Sequence, residues 1–121
     1  MDKQQAYYKL WSSFGIPAYD ENSVPDDASL PYITYQVITD SIEKPVFPTA
    51  SLWYRSDSWT NIDLKLNEIT NYIEDLQPIE IDTGYMYVTK GQPWSQRMTD
   101  PMERDVKRYI LNLAIEFLTK Y

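Results

Sequence analysis

The closing segment of the chain constrains the fold most. Tyr109, Leu111, Leu113, Ile115 and Phe117 alternate with Arg108, Ile110, Asn112, Ala114 and Glu116. That is the two-residue period of a strand with one buried face. Val106, Tyr109, Ile110, Leu113, Phe117 and Leu118 also fit a helical stripe, and the Leu, Ala, Glu and Lys content suits a helix. The five-step alternation favours the strand, because shorter strands elsewhere need a long partner to close a sheet. Helix is the alternative.

Those shorter elements are read from local pattern. Tyr7, Leu10, Trp11 and Phe14 fall on one helical stripe, with Asp2 and Gln5 at the spacing of a capping box and Gly15-Ile16-Pro17 as the stop. Residues 18–31 lack periodicity and are expected to be an ordered loop. Residues 32–39, rich in β-branched and aromatic side chains, are expected to be a strand, and residues 50–55 a second. Residues 40–49 hold Pro45 and Pro48 and read as a loop or extended arm. From Thr60, the residues Ile62, Leu66, Ile69, Ile73 and Leu76 form the clearest helical stripe, which Pro78 ends. Residues 78–82 and 85–90 flank Thr83-Gly84 as a hairpin, and residues 91–102 read as irregular. The expectation is a single α+β domain over residues 1–121. Its mostly antiparallel sheet has about four to five strands packed by one or two helices, in the order α-β-β-α-β-β-β.

Composition excludes several chemistries. The 121 residues include no His and no Cys. Disulfides, thiolate catalysis, Cys-based zinc sites and a Ser-His-Asp triad are therefore ruled out within the chain. Eleven Lys and Arg stand against 18 Asp and Glu, a net charge of −7, which argues against binding a phosphate backbone. No phosphate-cradling glycine motif occurs, and Gly15, Gly84 and Gly91 sit at element ends. Carboxylate groups such as Glu80 with Asp82, or Asp100, Glu103 and Asp105, read as solvated acids of an acidic chain rather than a hydrolytic pair or a calcium loop. No catalytic, cofactor-binding or metal-binding residues are expected. The N-terminus is polar, without a signal-peptide core, and no apolar run is long enough for a membrane helix, so assembly in a cytoplasm is expected.

Aromatic residues make up 15% of the chain, enough to raise the question of what the exposed ones contact. Trp11 and Trp53 are expected in the core. Trp94 lies in Pro93-Trp94-Ser95-Gln96-Arg97, beside Met98 and Met102, and is either tucked onto the sheet or an interface anchor. Val46 and Phe47 are held between two prolines, which lowers the entropy cost of presenting an arm. Val46, Phe47, Trp94, Gln96, Arg97, Met98 and Met102 are thus the candidate protein–protein contacts. A carbohydrate-binding module, an acidic nucleic-acid mimic and a carboxylate-only hydrolase are the competing classes.

The order of parts resembles a known family. The features are the opening helix ending at Gly15-Ile16-Pro17, the strand Leu30-Pro31-Tyr32-Ile33-Thr34-Tyr35, and residues 51–58 feeding the Ile62–Leu76 helix. They continue with a Gly-x-Pro-Trp-x-Gln loop at residues 91–96 and the closing segment 108–117. Together these look like the small tail-completion or tail-terminator proteins of long-tailed phages of Gram-positive hosts, some described as minor capsid proteins. The resemblance covers roughly residues 4 to 118. It implies a non-enzymatic virion protein without cofactor, assembled in the bacterial cytoplasm. Such subunits form a ring, expected to be a hexamer, on the tail tube. The ring stops tube growth and meets the head-completion or connector proteins. The implied partners are further copies of itself, the major tail tube protein and the connector. DNA passes through without specific binding. A head–tail stopper or adaptor is the alternative within the neck.

Overall fold

The computed structural model describes residues 1–38 and 45–119. Helix α1 (Lys3–Trp11) starts as its sequence demands: Asp2 accepts the Gln5 backbone N–H, and the Gln5 side chain accepts the Asp2 N–H. Ala6, Tyr7, Leu10 and Trp11 form its buried stripe. A short 3-10 turn, Ser12–Phe14, ends at Gly15, whose φ of 78° lies in the left-handed region. Helix α2 (Thr60–Glu74) buries Ile62, Ile69 and Ile73, with Leu66 packed beside them. Each such aliphatic side chain contributes about 1.5–3 kcal/mol when removed from water.

The strands are β1 (Ala18–Asp20), β2 (Tyr32–Tyr35), β3 (Thr49–Arg55), β4 (Ile79–Ile81), β5 (Gly84–Thr99) and β6 (Val106–Thr119). They form one six-stranded sheet in the order β1-β2-β3-β6-β5-β4. The β1–β2 pair is parallel and every other pair antiparallel. The sheet curls into a half-barrel. Of the described residues 42% are strand and 24% helix. Helix α1 touches both edge strands, β1 and β4, which a flat sheet would hold far apart. Tyr7, Trp11, Ile33, Leu52, Ile69, Leu111, Leu113 and Ile115 belong to one core on the concave side.

This corrects the expected α+β architecture of four to five strands: the protein is predominantly β, with six. Residues 18–31 were expected to be all loop, yet Ala18–Asp20 adds a parallel edge strand. Its register is Ala18 opposite Ile33 through Asp20 opposite Tyr35. Residues 91–102 were expected to be irregular, yet β5 runs through them to Thr99 with a bulge between Lys90 and Ser95. The bulge absorbs Pro93, which has no N–H for the ladder. The closing segment is a strand, so its helical alternative is set aside. Of the expected 40–49 arm, residues 40–44 lie outside the described residues. Val46 forms an isolated bridge with Ile115.

Candidate functional site

Helices and core occupy the concave face of the sheet, and no described helix covers the convex face. Alternation along β6 puts Tyr109, Leu111, Leu113 and Ile115 into the core, and Arg108, Ile110 and Asn112 outward. Register then builds a row across the outer face. Tyr32 stands opposite Trp53, Trp53 opposite Arg108, and Arg108 opposite Met98. Tyr19 extends the row at the β1 edge, its ring 5.6 Å from that of Tyr32, which in turn lies 6.4 Å from Trp53. The Arg108 guanidinium lies 4.4 Å above the Trp53 ring, a stacked cation–π arrangement.

Two small polar residues let these long side chains lie flat. Trp53 donates its indole N–H to Thr34 Oγ1 at 3.0 Å, and Arg108 donates from Nε and Nη2 to Ser51 Oγ at 3.0 and 2.9 Å. Thr34 and Ser51 are consequently buried on a face otherwise open to solvent. Burial lowers the Arg108 pKa from its ordinary value, and the charge of Glu21 opposes that shift. Trp53 and Val106 form the shared wall of two depressions. The larger, about 590 Å³, is bounded by Leu30, Tyr32, Arg55 and Glu103, and the smaller, about 160 Å³, by Met98 and Arg108. This placement corrects the expectation that Trp53 sits in the core. Trp11 does sit there, fully buried.

The seven residues singled out from the sequence do not form one patch. Phe47 and Gln96 come together on a depression of about 310 Å³ that also includes Pro93 and Asn112. Met98 lies further along the same outer face, and Met102 projects from the β5–β6 turn, 89% exposed. Trp94 and Arg97 lie on the helix side. The Trp94 indole N–H donates to Thr70 Oγ1 at 2.9 Å. Arg97 donates to the Tyr109 hydroxyl and to Asp63 while lying 4.4 Å over the Trp59 ring. The Tyr109 hydroxyl, through its hydrogen bond and charge, and then the Asp63 carboxylate raise the Arg97 pKa. Val46 is buried against Ile115. Sequence reasoning missed Tyr32 and Arg108, since only the β2–β3–β6 register joins them to Trp53.

Every tryptophan already has an intramolecular neighbour. Trp11 is in the core, Trp53 lies under Arg108, Trp59 under Arg97, and Trp94 against α2. A sugar-stacking platform needs an open ring face, so this arrangement weakens the carbohydrate reading.

The sheet's two ends differ. At the β1 end, residues 18–31 carry Asp20, Glu21, Asp26 and Asp27 and no basic residue. None of these four forms an ion pair among the described residues. At the other end β4 covers β5 only from Gly84 to Met86. Beyond Met86 the outer edge of β5 has no strand partner among the described residues. Among the described residues no cluster of acids is arranged to hold a metal ion, and no helix is long and apolar enough to cross a membrane. No protein-family model matches the chain, and no curated protein matches it.

Proposed function

We propose that the chain is a structural ring subunit, the tail-completion or tail-terminator protein of a long-tailed phage of a Gram-positive host. The observation that carries this reading is a sheet whose described helices cover one face only, and whose two ends are chemically unlike. A head-to-tail ring closes only when each subunit presents two different, mutually complementary patches. The acidic loop after β1 is one such patch, and the Trp53–Arg108 row with the open edge of β5 is the other. The layout of parts along the sequence supports the family choice.

In this role the protein is not an enzyme and carries no cofactor. Copies of itself, six by the resemblance, sit on the major tail tube protein, and the free side of the ring meets the head-completion or connector protein. Acidic side chains facing the lumen would repel DNA passing through. The protein is assembled in the bacterial cytoplasm and ends in the neck of the virion. A stopper or adaptor of the same neck would use the same patches without acting on tube growth.

The test is electron microscopy of tail tube protein polymerised with and without this chain. Rings on tube ends and shortened tubes are expected. Tubes that grow at their usual rate and length beside an indifferent monomer would end the reading. Rings that bind connector but leave tube length unchanged would move the protein to the stopper role.

A further inference from the structure

We infer that the outer face around Trp53 and Arg108 receives the acidic loop, residues 20–27, of a second copy of the chain. The inference rests on the ring reading, whose neighbour contact it names. The receiving face is apolar and aromatic at Tyr32, Trp53 and Met98, with Arg108 at its centre; Asp100 lies at the rim of both depressions, and the ion-paired Arg55 and Glu103 at the rim of the larger one. The Arg108 guanidinium is half-buried, and among the described residues its hydrogen bonds go to the neutral Ser51 hydroxyl. Arg55 is ion-paired with Asp105 and Glu103, and Arg97 with Asp63, whereas no described carboxylate lies within ion-pair distance of Arg108. A desolvated guanidinium stacked on tryptophan is suited to a forked contact with a carboxylate.

The occupant follows from charge complementarity. The chain has an excess of seven acids, and the 20–27 loop concentrates four carboxylates that form no ion pair among the described residues. Glu21 of the same copy reaches Arg108 only through space. The loop follows the β1 edge, while the row runs from β1 across β3 and β6 to Met98 on β5. Contact between the two patches is therefore heterologous, the kind that propagates around a ring. Shielding by salt should weaken it, because Glu21, Asp26 and Asp27 are exposed.

The absence of cysteine makes the test direct. Gln96→Cys marks the receiving face and Asn22→Cys marks the loop, and each leaves Arg108 and the four loop carboxylates in place. A flexible bis-maleimide is added to each protein alone and to their mixture. Dimers are expected in the mixture and not in either protein alone. Cross-linking of Gln96→Cys with itself would indicate a face-to-face contact and overturn the inference, as would no cross-link in any mixture. Arg108→Glu in the Gln96→Cys protein should cut the mixed yield about tenfold or more. Asp26→Lys with Asp27→Lys in the Asn22→Cys partner should restore it. Unchanged yield with Arg108→Glu, or failure of the charge swap to restore it, overturns the pairing. The same proteins are scored for tube arrest, and cross-linking is repeated on tube ends. Mixed cross-links without arrest keep the contact and remove the phage role. Arrest without mixed cross-links on the tube removes the contact and keeps the role, and loss of both removes both.

Discussion

The Tyr109 hydroxyl donates to Asp63 Oδ1 at 2.5 Å, tying the first part of β6 to the first turn of α2. Arg97 from β5 donates to the same hydroxyl at 2.6 Å and to Asp63 Oδ2 at 2.9 Å, so three elements meet at one charge-assisted group. Asp63 also faces the positive end of the α2 dipole. Tyr109→Phe removes the shared hydroxyl and should cost about 1–2 kcal/mol in urea unfolding. A double-mutant cycle with Asp63→Asn should show coupling of about 0.5 kcal/mol or more; additivity would mean that the group does not act as a unit.

Gly84 opens β5 with φ at +152°, and a Cβ there would lie 1.8 Å from the Leu118 carbonyl oxygen. Neither that backbone conformation nor that contact tolerates a side chain, and the clashing atom is the backbone of a paired strand. Gly84→Ala should therefore destabilise by about 2–4 kcal/mol. Thermal unfolding checks this. A melting temperature equal to that of the parent would mean that the β5–β6 start lies differently.

Tyr7 is fully buried in the core, and neither its hydroxyl nor the Trp11 indole N–H finds a hydrogen-bond partner among the described residues. Burial pushes the Tyr7 hydroxyl well above its ordinary 10.0. The folded state then holds its proton where the unfolded state releases it. Stability from this group is intact below pH 10 and falls as pH rises toward the folded value, by about 1.4 kcal/mol per pH unit. Tyr7→Phe should be neutral or stabilising by about 1 kcal/mol at pH 7 and should flatten the alkaline limb by one proton. Urea titrations from pH 8 upward read both.

What was legible in the sequence was what local pattern controls. The Tyr7–Leu10–Trp11–Phe14 stripe, the Asp2–Gln5 cap, the α2 stripe and the alternation of β6 each repeat within a few residues, and each appears as read. What failed depended on partners distant in the chain. Ala18–Asp20 is too short for a period to show, and becomes a strand because β2 offers it an edge. The outer half of β5 hides its alternation behind the Lys90–Ser95 bulge, and its polar residues look like a loop until β6 is set beside them. Trp53 reads as core because it is large and apolar. It lies outside because Ala50 and Leu52, its alternates on β3, take the core face. The Trp53–Arg108 pair exists only in the register between β3 and β6.

Val46 and Phe47 are sequence neighbours with opposite surroundings. Val46 exchanges both backbone hydrogen bonds with Ile115, at 2.9 Å each, and is buried. Phe47 is 72% exposed beside the Gln96 depression. Val46→Ser should cost about 1–3 kcal/mol, since it exchanges buried apolar surface for a hydroxyl. Phe47→Ser should change stability by about 0.5 kcal/mol or less, since water already surrounds most of the ring. In the ring reading the exposed ring is an anchor for a neighbour, so the same substitution should lengthen tail tubes in the arrest assay at an unchanged melting temperature. Tube lengths identical to those with the parent protein would remove Phe47 from the contact, and a melting temperature lowered as far as by Val46→Ser would show that the arm packs as one piece.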